Sequence, residues 1–215
     1  MTFKRIGQFE AELHQPPTSA FHLESWTRFK LVEPHYIDLE YRCVPRQHVF
    51  RFGYIGLFWA SYIHGPDDKS MYFRGSMGRG SPSWMQLCTQ RHNDESTVLH
   101  ADDTLELKFD PAYRDCLFKN YSPMRFDLPL YYGLFGKHIW IVMFDPKENI
   151  RFTHSPSGGG FTAERQTSNP AWDFQFIIPR YEVNEQYGFR LRAVYRELCT
   201  RGEILAEYER WRQQL

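Results

Sequence analysis

Residues Asn169 to Pro179, Asn-Pro-Ala-Trp-Asp-Phe-Gln-Phe-Ile-Ile-Pro, constrain this chain more than any other stretch. In an extended strand, Trp172, Phe174 and Phe176 point to one side, and Asp173 and Gln175 to the other. The aromatic side demands a core. The polar side predicts a face that lines a wet groove. Tyr54 to Ile63 (YIGLFWASYI) has a similar character, with Trp59, Ser61 and Tyr62 near its end. Both segments point to a β-sandwich with a polar, aromatic-lined face.

The rest of the chain supports that architecture. From His35 to Val44, Ile37, Leu39, Tyr41 and Cys43 alternate with Asp38, Glu40 and Arg42, the pattern of a half-buried strand. Ile139 to Phe144 is apolar on both sides and predicts a central strand. Ile150–His154 and Tyr187–Tyr195 read as further strands, with shorter ones at 70–74, 84–89, 97–99 and 105–109. The first thirty residues, with Pro16-Pro17, predict an edge strand and a loop. Only the tail reads as a helix, over about 200–214. Thr200 and Glu203 have capping-box spacing, and Ile204, Leu205, Tyr208 and Trp211 form an apolar stripe. That stripe packs on the chain's own sheet or docks a partner. The expected fold is all-β: two packed antiparallel sheets with a C-terminal α-helix, as one domain over residues 1–215.

Composition narrows the function. Lys and Arg number 26 and Asp and Glu 26. No global field therefore attracts nucleic acid or an anionic membrane, and no basic run lies beside the aromatics. No apolar stretch is long enough to cross a bilayer, and the first residues contain no signal-type apolar run. Cys43, Cys88, Cys116 and Cys199 lie far apart, as expected for reduced thiols in a cytoplasmic protein. They lack the paired spacing of a zinc site, and no motif calls for a cofactor.

Several residues are candidates for chemistry. Arg91-His92-Asn93-Asp94-Glu95 is the densest ionisable cluster; His92 can act as an acid or base with Glu95 as its partner. The same five residues also suit a polar surface turn. His154 precedes Ser155-Pro156-Ser157-Gly158-Gly159-Gly160, a connection that glycine makes permissive. Asp173 and Gln175, with Arg190 or Arg192 on a neighbouring strand, can hold a ligand's hydroxyls or form a structural ion pair. Asp38 and Glu40 add carboxylates or belong to a solvated face. Trp59 and Trp172 can stack on a sugar ring. His92, Glu95 and His100 are the one conceivable metal set. No Gly-x-Ser-x-Gly, Cys–His or His-Glu-x-x-His arrangement occurs.

Four segments carry a family resemblance: Ile37–Arg42, Gly56–Ile63, Arg91–Val98 and Asn169–Pro179. They resemble an uncharacterised bacterial β-sandwich family whose pattern is similar to the galactose mutarotase-like supersandwich. The resemblance implies a concave sheet face that binds sugars. Aldose epimerases of that type use two histidines on separate strands and a late glutamate. His92, His100 and His154 are the histidine candidates here. Glu182 and Glu185 fall in an expected turn and Glu197 follows the last strand, so no glutamate matches. The resulting expectation is a carbohydrate-interacting protein, extending to a sugar-active enzyme of isomerase, epimerase, hydrolase or lyase type. In it, His92, His154, Asp173 and Arg192 share one cavity, walled by Trp59 or Trp172. The competing readings are a non-catalytic structural or protein-interaction domain and a metal-dependent enzyme around His92.

Overall fold

The computed structural model describes residues 1–78, 80–112, 116–145, 148–157 and 169–215. In chain order these form β1 (Thr2–Gly7), β2 (Glu10–Gln15), β3 (Leu23–Val32), β4 (Tyr36–Pro45), β5 (Ile55–Trp59), β6 (Met71–Met77) and β7 (Ser83–Leu87). They continue with β8 (Thr97–His100), β9 (Tyr121–Phe135), β10 (His138–Asp145), β11 (Ile150–Ser155), β12 (Ala171–Ile178), β13 (Tyr187–Glu197) and α1 (Arg201–Arg212). The fold is all-β with one C-terminal helix, as the alternation predicts.

Hydrogen bonds join the strands in the order β1-β2-β3-β4-β13-β10-β9-β8-β11-β12-β5, and β6 pairs with both β7 and β9. Among the described residues, every pair is antiparallel except β8 with β9. The two faces of the sandwich are therefore halves of one sheet that doubles over at β9. The N-terminal part of β9 pairs with β8, and its C-terminal part with β10. Opposite β6, its register jumps between Phe126 and Tyr131. Such an irregularity bends a strand.

The inner faces of the two halves meet in an aromatic core. Phe174 of β12 lies edge-on to Phe189 of β13, with centroids 5.4 Å apart, and Phe144 of β10 lies 4.8 Å from Phe174. Phe126 stacks on Phe152 at 4.0 Å. Trp172 is fully buried, and its ring fits against Gly133 of β9. A Cβ at Gly133 would lie 2.1 Å from that ring, so only glycine admits the indole there. The predicted Ile139–Phe144 strand is β10. Its Val142 and Phe144 join the aromatic core, while Ile139, Ile141 and Met143 face the opposite way.

On that opposite face sits α1. Thr200 caps it: the Glu203 N–H donates to the Thr200 hydroxyl and the Glu203 carboxylate accepts from the Thr200 N–H. Ile204 and Trp211 are buried against Leu130, Ile139, Ile141, Met143 and Val194, so the helix docks on its own sheet. Leu205 and Tyr208 are half-buried. Glu207 is buried too, held by Arg196 at 3.0 Å, Arg210 at 3.2 Å and the Tyr36 hydroxyl at 3.0 Å.

Three boundaries differ from expectation. The first thirty residues form a full hairpin, β1–β2, and most of β3. The Tyr54–Ile63 strand is confined to β5. Residues 105–109 form no strand; they belong to a segment lying across the outer face of β8, β11, β12 and β5. There the Leu105 carbonyl accepts from Arg151 at 3.3 Å, and Phe118 covers Gly56 and Phe58.

Candidate functional site

The residues singled out in the sequence divide among four places. His92 and Glu95 are exposed in the β7–β8 connection, where Asn93 (φ 59°) and Glu95 (φ 47°) adopt left-handed turn conformations. His154 is fully buried on the inner face beside Trp172, its cross-strand neighbour. The Thr89 N–H donates to His154 Nδ1 at 3.2 Å, and Nε2 donates to the Lys69 carbonyl at 2.8 Å. That carbonyl also accepts from the Trp172 indole at 2.9 Å. Burial pushes the His154 pKa down, with the Lys69 hydrogen bond opposing. Both ring nitrogens of a neutral imidazole are thus engaged, Nε2 in holding Lys69 and Nδ1 in holding Thr89.

Asp173 and Gln175 lie on the outer face of β12, where the sequence predicts a wet groove. They are 2% and 0% exposed. Residues 101–112 and 116–118 cover this face instead and bring polar partners to it. Gln175 Nε2 donates to Thr153 Oγ1 at 2.9 Å and to the Leu117 carbonyl at 3.3 Å. Arg151, fully buried, pairs with Asp103 at 2.8 Å. Asp173 accepts from the Ser61 N–H at 2.6 Å. Burial pushes its carboxyl up to about 6, against the lowering effect of that hydrogen bond. Trp59, half-buried, stacks on Phe174 at 5.8 Å at the margin of the core.

Arg192 lies in the other half of the sheet, on the face that carries α1. His154, Asp173 and Arg192 therefore occupy three different surfaces, and the expected common cavity does not form. The physical reason is the period of two along a strand: His154 pairs with Trp172, so Asp173, the next residue, faces the opposite side. His92, Glu95 and His100 do not gather either. Among the described residues, no three His, Cys, Asp or Glu side chains are grouped to hold a metal.

The outer face around Arg192 has an organisation of its own. Cross-strand register places Lys4, Glu12, Arg28, Glu40, Arg190 and Asp145 in one row across β1, β2, β3, β4, β13 and β10. The signs alternate at every step. A second row runs Glu10, Lys30, Asp38, Arg192 and alternates as well. Opposite charges facing each other across strands stabilise such a sheet. Arg192 grips Asp38 with two bonds of 2.6 and 2.8 Å, which raises the arginine pKa further. Arg190 binds Asp145 at 2.7 Å, and Arg28 lies 3.2 Å from Glu10. A third row stacks His14 on Trp26 at 5.1 Å, with the Arg42 guanidinium 5.8 Å from the indole centroid.

Two hollows open on this face. One, of about 300 Å³, is lined by Arg28, Lys30, Asp38, Glu40, Arg190 and Arg192 and ends at Trp211 of α1. The other, of about 350 Å³, shares Glu40 and Arg190 with it and extends to Gly188 and Gln186. Gly188, at the wall of the second hollow, lets β13 lie close to β4, since a Cβ there would meet the Tyr41 carbonyl at 2.1 Å. Not every charge in the groove is satisfied. Among the described residues Lys30 has no ion-pair or hydrogen-bond partner. Glu40 has only Arg42 Nε at 3.6 Å, beyond hydrogen-bond length.

Sequence reasoning named Asp38, Glu40, Arg190 and Arg192 but missed Glu10, Arg28, Lys30 and Trp26. The charge alternation along β2 and β3 was present to be read. The strand register that aligns it into rows was not.

No family model matches the chain, and no curated protein matches it. Among solved structures, the chain is similar to a putative aldose 1-epimerase from Escherichia coli K12. The likeness covers 91% of this chain and 68% of that one, at 9% identity and a TM-score of 0.47. It says nothing of the site or its chemistry. No helix among the described residues is long and apolar enough to cross a membrane.

Proposed function

We propose that this chain binds a carbohydrate in the groove between the two charged rows. One observation supports the reading above others: the groove alternates donors and acceptors, and its charges nearly cancel. Arg28, Lys30, Arg42, Arg190 and Arg192 stand against Glu10, Asp38, Glu40 and Asp145. A polyanion placed here meets carboxylates, and a cation meets guanidinium groups. A neutral molecule rich in hydroxyls meets neither penalty, because each hydroxyl both donates and accepts. Lys30 and Glu40 supply the unused capacity. They sit diagonally on adjacent strands, about 7–8 Å apart by ordinary sheet geometry, a span that one sugar ring with its hydroxyls bridges. The surrounding ion pairs fix the other side chains in advance, which lowers the entropy lost on binding.

The test is a thermal-shift screen of neutral monosaccharides and short oligosaccharides, because a ligand bound only by the folded state raises Tm. At least one saccharide is expected to raise Tm in a dose-dependent way. The double variant Lys30→Ala/Glu40→Ala is expected to lose that shift while its unliganded Tm changes little, since exposed charges contribute little to stability. If no saccharide shifts the native protein, or if the variant responds equally, the groove is not the site.

A further inference from the structure

We propose that the free edge of β1 docks an extended segment of a partner protein, acidic on one face and apolar on the other. Among the described residues, β2 is the sole neighbour of β1. A strand with one neighbour leaves half of its peptide groups unpaired, and these can accept another strand. The side chains define which strand fits. The first charged row alternates in sign over six strands and ends at β1 on Lys4. The carboxylate opposite it, Glu12, turns away to Arg42 at 3.4 Å, and among the described residues Lys4 has no ion pair. The next place in the row, outside β1, therefore calls for an acidic residue. Arg5, the other charge of β1, lies on the inner face with Phe3 but is folded back on its own hairpin: its Nε donates to the Gly7 carbonyl at 3.0 Å.

The inner face of β1 asks for the opposite chemistry. Phe3 is 69% exposed. Beyond the hairpin turn, Phe9, Leu31, Ile37 and Tyr195 line an apolar hollow of about 430 Å³. A strand added to β1 alternates its side chains across the sheet. It therefore presents acidic groups to Lys4 and apolar groups to Phe3. A second copy of this chain pairing through β1 fits poorly. It would bring Lys4 and Arg5 against Lys4 and Arg5, and like charges in facing strands repel.

The experiment uses two fluorescently labelled heptapeptides and the intact chain. One alternates glutamate with valine; the other alternates lysine with valine. Binding is followed by anisotropy and located by amide hydrogen exchange. The glutamate peptide is expected to bind and to protect amides of residues 2–7, and the lysine peptide to bind at least about threefold more weakly, the worth of one facing charge pair. Lys4→Gln, which leaves the exposed edge foldable, is expected to weaken the glutamate peptide by a similar factor. The proposal is overturned if the glutamate peptide does not bind, if the two peptides bind alike, if Lys4→Gln has no effect, or if protection appears away from β1.

Discussion

Asp173 is a buried carboxylate that folding makes harder to ionise, and the consequence can be calculated. Its pKa rises from an ordinary 3.8 to about 6 on folding, chiefly through burial. A rise of about two units corresponds to about 3 kcal/mol between the two protonation states. The sign follows from proton counting. Between pH 3.8 and about 6 the folded chain holds a proton that the unfolded chain has released. Stability therefore falls as pH rises through that window and levels off above it. About 2 kcal/mol of the decline lies between pH 4.5 and 7.5. Asp173→Asn removes the titration but retains an oxygen to accept from the Ser61 N–H. Its new amide group adds a fixed cost that does not depend on pH. Urea unfolding of both proteins at pH 4.5 and 7.5 isolates the effect. The variant is expected to gain about 2 kcal/mol on the native protein between those two pH values. If the difference between the proteins is the same at both, Asp173 is not the desolvated carboxylate described here.

Two further substitutions test the packing. Trp211→Ala removes the buried indole that seats α1 on β10 and β13, and is expected to cost about 3–5 kcal/mol in urea unfolding; an unchanged midpoint would mean the helix does not dock there. Gly133→Ala drives a methyl into the Trp172 ring, and is expected to cost about 1–3 kcal/mol or more and to shift the tryptophan emission; native stability and emission would contradict the tight contact between β9 and β12.

The fold was more legible in the sequence than the site. The two sides of β12, the apolar run Ile139–Phe144 of β10 and the cap at Thr200 each declare themselves through local pattern. β9 does not, because Pro123 and Pro129 interrupt a strand that changes partners partway along its length. Proline reads as a strand breaker unless a bulge or an edge accommodates it. Asp173 and Gln175 looked like groove residues because alternation marks the polar side of a strand without saying what covers it. The cover comes from residues 101–112 and 116–118, where the Leu117 carbonyl meets Gln175 and Asp103 meets Arg151, while Ser61 meets Asp173, all from a distance in sequence. The charged rows failed for a related reason. Lys30 and Glu40 each look like ordinary surface charge within their own strands. Only the register of β3 against β4 and of β4 against β13 sets them around one groove.

The central claim is that a carbohydrate lies between those rows, and its most direct test is a crystal structure of the chain with the saccharide that raises Tm most. The account predicts the sugar ring over β3 and β4, with hydroxyls within hydrogen-bond distance of Lys30 and Glu40. A saccharide bound elsewhere on the molecule, with this groove empty, would contradict it.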